Sequence, residues 1–200
     1  MKHDILIAGV GGQGTVLASK LIAQAAMEEG QFVRTSETIG MAQRGGCVVS
    51  HVRIGAKDEG SVIPLNGADL LLGFEPAEAA RSLARLRKGG KAVVNTARVI
   101  PVTASLSGQA YETEEIFEYL KHGAQVWMLD ATGIAEACGN AKAANMVMLG
   151  AGIGVGAIGY SLECMEELLG RRLPEKLLPV NRKALRAGCD YVLGAGGEKE

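Results

Sequence analysis

The stretch Ile5-Leu6-Ile7-Ala8-Gly9-Val10-Gly11-Gly12-Gln13-Gly14-Thr15-Val16-Leu17 decides the fold. A run of apolar residues leaves the charged start Lys2-His3-Asp4 and enters a G-x-G-x-x-G turn at Gly9, Gly11 and Gly14. Beyond the turn, Leu17, Leu21 and Ala25 share one helical face, Lys20, Gln24 and Glu28 another, and Gly30 supplies a stop. Apolar strand, glycine turn and amphipathic helix together open a parallel α/β sheet.

Working outward, Gln31–Ser36 and Cys47–Ile54 read as the next two strands. Only residues 37–46 separate them, whereas a parallel crossover needs at least ~10–12 residues including its helix. The two strands are therefore expected to pair antiparallel, with 37–46 as a loop at their tip. Asp69–Phe74 is an apolar strand, Pro76–Arg87 a helix ended by Gly89-Gly90, and Lys91–Asn95 a further strand. Thr113 is placed to cap a helix with Glu114 and Glu115 in its first turn, Lys121 and His122 in its last, and Gly123 as its stop. Ala124–Leu129 is a strand ending at Asp130, and the remainder reads as helical with breaks near Gly139, Gly170 and Gly188. The expected fold class is α/β: three layers around a mixed, mainly parallel sheet, with a Rossmann-like start and a helical C-terminal third. A single domain is expected over residues 1–190, with 191–200 as a disordered tail.

Composition narrows the function classes. Of 200 residues, 48% are hydrophobic and 22% charged, as in a globular domain with a sizeable core. A net charge of −1 gives no electrostatic footprint for nucleic acid or an anionic membrane, and 4% aromatics leave few stacking platforms. Ala143–Leu162 is uncharged, but it holds five glycines and Asn145, so it reads as a buried helix, or two broken pieces, against the sheet rather than a membrane span. No secretory signal is read at the start. Cys47, Cys138, Cys164 and Cys189 are too scattered for an iron–sulfur cluster or a zinc knuckle. They are expected to be reduced thiols in a cytoplasmic protein.

Two segments carry the candidate site. The turn Gly9–Gly14 brings backbone N–H groups and a helix N-terminus to an anion; the bland alternative is a tight turn that binds nothing. Glu37 has a tolerable spacing for a ribose-binding acid, but the expected antiparallel return of the second strand argues against ordinary dinucleotide binding. The second segment, Arg34–Gly46, is polar and contains Gly40, Gly45 and Gly46. It reads as a binding loop, with Arg44 suited to a carboxylate or phosphate; alternatively it is a surface loop whose Arg44 and Glu37 satisfy each other. Ser50 and His51 on the following strand point to opposite faces, and His51 is read as structural. The basic residues Arg81, Arg85, Arg87, Lys88 and Lys91 read as a solvated helix end. The sequence contains no P-loop, no nucleophile elbow, no H-E-x-x-H and no Gly-Asp-Gly thiamine motif.

Together, GVGGQGTVLAS at 9–19 and TSETIGMAQRGGCVVSHVRIG at 35–55 resemble the gamma-type domain of the 2-oxoacid:ferredoxin oxidoreductases. Within that family the likeness is to the small subunits of the indolepyruvate type. ADLLLGFEPAEA at 68–79, GGKAVVN at 89–95, Asp130 and NMVMLGA at 145–151 extend the resemblance over most of residues 4–190. Two departures stand out: Ile39 occupies a position where members often have His, and Cys47 one where they have Ser or Thr.

The resemblance implies a non-thiamine-binding subunit for coenzyme A-dependent oxidative decarboxylation of an aryl pyruvate such as indolepyruvate. It implies no catalytic residue and no metal on this chain. Thiamine diphosphate and iron–sulfur clusters would belong to a larger partner chain, through which ferredoxin is reduced, and coenzyme A would sit at or near this domain. Residues carried over as cofactor-facing are Gly9, Gly11, Gly12, Gln13, Gly14, Glu37, Gln43, Arg44, Gly45 and Gly46. Other functions left open are a stand-alone nucleotide-binding regulatory module, a purely structural subunit shielding an active site, and a gamma subunit for pyruvate or 2-oxoglutarate.

Overall fold

The computed structural model describes residues 2–40, 46–99 and 112–194. Its strands are β1 (His3–Val10), β2 (Val33–Ile39), β3 (Cys47–Ile54), β4 (Ala68–Gly73), β5 (Leu86–Asn95) and β6 (Gln125–Leu129). The α-helices are α1 (Thr15–Glu28), α2 (Pro76–Ser82), α3 (Glu114–Gly123), α4 (Ala131–Ala137), α5 (Ala144–Gly154), α6 (Leu162–Arg172) and α7 (Leu178–Gly194). One six-stranded sheet runs β2-β3-β1-β4-β5-β6. β1, β4, β5 and β6 are mutually parallel; β3 is antiparallel to both β1 and β2.

The period-2 alternation of the strands builds the layers. Ile5, Ile7, Leu70, Leu72 and Val93 face a core completed by α1, α5, α6 and α7. Leu6, Ala8, Leu71, Ala92 and Val94 face the opposite core, under α2 and α3. Both faces are covered, so the central strands read as unbroken apolar runs. The expected three-layer α/β architecture is what forms, including the antiparallel β2–β3 pair.

Four local expectations need correction. First, Gly89-Gly90 do not end a helix. α2 stops at Ser82, a short 3-10 turn covers Leu83–Arg85, and both glycines lie inside β5. There the register passes from Ala68↔Leu86 to Leu70↔Lys91, so residues 87–90 bulge opposite Asp69. Gly89 adopts φ +75°, which a side chain disfavours, and Arg87 Nε reaches Asp69 Oδ1 at 2.6 Å. The basic cluster accordingly spans a helix, a turn and a bulge rather than one helix end.

Second, Gly188 lies within α7 and does not break it; the interruptions expected near Gly139 (φ +115°) and Gly170 are present, the latter just beyond the glycine at Leu173–Pro174, where α6 has ended at Arg172. Gly188 serves a helix crossing. A Cβ there would stand 2.0 Å from Val147 O, and one on Gly150 would stand 1.9 Å from Leu185 O. α5 and α7 therefore meet backbone to backbone, and the uncharged 143–162 stretch is buried mainly by this contact and the sheet. Among the described residues, no helix is long and apolar enough to cross a membrane.

Third, Tyr191–Gly194 belong to α7, so the expected tail does not begin at 191; residues 195–200 lie outside the described residues. Fourth, Thr113 stands at the N-cap of α3 but makes no side-chain capping hydrogen bond.

Candidate functional site

The chain leaves β1 through α1 on one face of the sheet and leaves β4 through α2 on the other. Between the C-terminal ends of these adjacent strands lies the switch point where α/β sheets open a crevice. The glycine turn forms one wall. Gln13 braces it: its Oε1 accepts from Val10 N at 2.9 Å and its Nε2 donates to Phe74 O at 3.0 Å. Gln13 is thus a strut between the ends of β1 and β4.

The glycines of the fingerprint separate into different roles. A Cβ on Gly9 would lie 2.7 Å from Gln13 Oε1 and 2.9 Å from Phe74 Cβ, so its absence permits packing. Gly14 has φ +81° and a Cβ there would lie 2.6 Å from Asn145 Nδ2, which fixes the start of α1 against α5. Gly12 has φ +101° with open space where a Cβ would stand, and its backbone faces the crevice.

The loop after β2 meets the same edge. Gly11 N donates to Gly46 O at 2.8 Å, and Gly40 N to Cys47 O at 2.8 Å. Gln43, Arg44 and Gly45 lie outside the described residues. β1 and β2 run in the same direction but are not neighbours, because β3 lies between them. Glu37 is therefore not beside the glycine turn as a ribose-binding acid must be; its Oε1 accepts from Ser19 Oγ on α1 at 3.2 Å.

The crevice has a volume of about 220 Å³. Besides Gly12, Gln13 and Phe74 it is lined by Asn95, Thr132 and Lys142, which the sequence reading did not single out for the site. Asn95 is buried and ties the end of its own strand to the end of β4 and the start of α4. Its Nδ2 donates to Phe74 O (3.3 Å) and Thr132 Oγ1 (3.4 Å), and its Oδ1 accepts from Ala131 N (3.0 Å) and Ala97 N (3.2 Å). Asp130 caps α4 by accepting from Gly133 N at 2.8 Å. The available sequence signal was positional: Asn95 and Asp130 each follow an apolar strand, where an α/β sheet places its site residues.

Beside the crevice, Cys47 pairs with Val10 in the β1–β3 ladder. Although the residue is exposed, local desolvation first, then a hydrogen bond to the Glu78 carboxylate, push its thiol pKa up to about 11. His51 is buried and its Nδ1 accepts from Ile63 N at 3.2 Å, in keeping with a structural role. The four cysteines are unpaired. Among the described residues, no three His, Cys, Asp or Glu side chains converge as a metal-binding group.

Sheet order, glycine turn and edge crevice describe an α/β domain, and its class comes from the family match: the chain belongs to the pyruvate ferredoxin/flavodoxin oxidoreductase family, matched over residues 4–191. In particular, it is 40% identical over 195 residues to the indolepyruvate oxidoreductase subunit IorB of Archaeoglobus fulgidus, covering 96% of each chain. The gamma subunit of a keto/oxoacid ferredoxin oxidoreductase from Geobacter sulfurreducens has the same fold, with a TM-score of 0.70, 26% identity and coverage of 96% of this chain and 99% of that one. The 2-oxoglutarate:ferredoxin oxidoreductase of Magnetococcus marinus shares the fold at TM-score 0.72 and 21% identity; all of this chain aligns with 32% of that longer one. The family resemblance carried by the glycine turn and the 35–55 segment is borne out.

Proposed function

We propose that this chain is the small, non-thiamine-binding subunit of a 2-oxoacid:ferredoxin oxidoreductase of the indolepyruvate type. It acts in the cytoplasm, packed against a larger chain that carries thiamine diphosphate and iron–sulfur clusters and passes electrons to ferredoxin. The observation that carries this reading is the 40% identity to an indolepyruvate oxidoreductase subunit, continuous over 96% of both chains. Related folds occurring both as a separate gamma subunit and as about a third of a longer chain support a module that works beside larger domains.

The C-terminal edge of the sheet is the surface assigned to coenzyme A and to the partner's thiamine domain. Gly11, Gly12 and Gly14 shape its backbone, and Gly46 ties the second loop to it. Gln43, Arg44 and Gly45 are carried as contact residues from the family resemblance, and Glu37 as a support of the β2 end.

The test is reconstitution. The chain is purified alone and together with a thiamine-binding partner encoded beside it. Viologen reduction is then followed with indolepyruvate, pyruvate and 2-oxoglutarate in the presence of coenzyme A. The expected result is no activity for the isolated chain and highest kcat/KM with indolepyruvate for the pair. Activity of the isolated chain overturns the subunit reading; preference for another acid overturns the indolepyruvate assignment alone.

A further inference from the structure

We propose that the free edge of β2 is a homodimer interface, at which a second copy of this chain pairs its own β2 antiparallel about a two-fold axis at Ser36. The pairing joins two six-stranded sheets into one. It rests neither on the subunit reading nor on the glycine turn.

β2 lies at one end of the sheet, with β3 as its single neighbour among the described strands. Gly55 N donates to Phe32 O at one end of that ladder and Gly40 N to Cys47 O at the other, both at 2.8 Å. Hydrogen-bonded pairs alternate along an antiparallel ladder, so Arg34, Ser36 and Thr38 turn their main-chain groups to β3. Val33, Thr35, Glu37 and Ile39 turn theirs outward. Arg34, Thr35, Glu37, Thr38 and Ile39 are all exposed, so the described residues do not cover this edge. Sheet edges are commonly blunted by proline, lysine or a bulge. β2 holds none of these, and its register against β3 is unbroken over seven residues. The opposite edge, β6, is five residues long, and only Gln125 of it is exposed.

The occupant is a second copy because the edge matches itself. About an axis at Ser36, Val33 faces Ile39 of the second copy and Thr35 faces its Glu37, and the symmetry repeats both pairs. All the outward-turned residues then form hydrogen-bonded pairs, and Ser36 meets its own copy as a non-hydrogen-bonded pair, where side chains stand closest. The side chains agree with the backbone. Val33 packs at the margin of the core under α1 and offers an apolar seat to Ile39, which is 58% exposed. Glu37 accepts from Ser19 Oγ through Oε1, which leaves Oε2 for the Thr35 hydroxyl. Arg34 falls opposite Thr38, so no like charges face each other. Moving the axis one residue toward the strand end sets Glu37 against Glu37. Moving it one residue the other way sets Val33 against Glu37 and leaves Ile39 without a partner in the strand. One register therefore fits, and such self-complementarity is what a two-fold interface requires. Antiparallel pairing also points the C-terminal edges of the two sheets in opposite directions, so neither copy covers the other's glycine turn.

The experiment is sedimentation velocity of the full-length chain over a concentration series. The expected result is a reversible monomer–dimer equilibrium for the parent. Ser36→Lys and Ser36→Asp each set like charges against each other on the axis, so each alone should stay monomeric over the same range. Their equimolar mixture sets opposite charges there and should dimerise. Thr35→Pro removes an outward N–H from each copy and should weaken the dimer by about tenfold or more. Thermal midpoints check that the variants fold. Ser36 is half-buried opposite His51, whereas the Thr35 N–H faces away from β3, so Thr35→Pro keeps the test readable if the Ser36 variants do not fold. A parent that is monomeric throughout, a dimer unaltered in Thr35→Pro, or a mixture that associates no better than either Ser36 variant alone overturns the inference. The larger chain is not needed, so failure here leaves the subunit assignment standing.

Discussion

The amide of Gly11 donates to the carbonyl of Gly46 at 2.8 Å, closing the glycine turn against the end of the loop that follows β2. The two segments that carry the family resemblance are thereby joined at one edge of the sheet. They meet although β1 and β2 are separated by β3. Two successive antiparallel pairings restore the direction of β1 in β2, so both strands end on the same side.

Gly11→Pro tests this tie. Proline removes the donor, and the preceding Val10 is in a strand, the conformation a residue before proline prefers. The expected outcome is a stability loss of about 1 kcal/mol with the sheet intact. Proteolysis within 40–46 should be faster, read by mass spectrometry of limited digests.

The α5–α7 crossing depends on bare backbone. Gly150→Ala sets a methyl 1.9 Å from Leu185 O, so two helices must separate. Overpacking of this kind costs about 1–3 kcal/mol, occasionally more. Gly60→Ala meets nothing within 4 Å and serves as the control, with a change within about 0.5 kcal/mol. Urea midpoints of the two variants check the contrast.

His51 sets an acid limit on stability. Burial, with Arg85 and Arg53 nearby, lowers its pKa from 6.5 to about 4. Between these values the unfolded chain binds a proton that the folded chain refuses, so stability falls as pH drops from about 6.5 toward 4. At about 1.4 kcal/mol per pH unit the loss is on the order of 3 kcal/mol. His51→Asn, whose Oδ1 can stand in for Nδ1 as acceptor of the Ile63 N–H, should flatten this part of the pH–stability curve measured by thermal unfolding.

At the opposite end of the sheet, Arg53 grips Asp4 through two 2.8 Å hydrogen bonds, with both side chains 4% exposed. It also donates to Gly60 O and pairs with Glu59, anchoring the 55–60 loop. Arg53→Met strands a buried carboxylate, and the expected cost is about 3–5 kcal/mol. Adding Asp4→Asn should recover a substantial part of it, so a double-mutant cycle by chemical denaturation reads the coupling.

Local chemistry made the first βα unit legible: apolar run, glycine turn and amphipathic face all act within a few residues. Loop length likewise fixed the antiparallel β2–β3 return, because residues 37–46 are too few for a crossover. Glycine misled where its reason was not local. Gly89-Gly90 look like a helix stop, yet the register of β5 against β4 turns them into a bulge. Gly188 looks like a break, yet it is kept bare by Val147 on another helix. The crevice was out of reach for the same reason. Gly12, Asn95, Thr132 and Lys142 come from four separate segments, and nothing in their spacing relates them. Parallel strand order and the switch of faces between α1 and α2 bring their ends together, and those are properties of the assembled sheet.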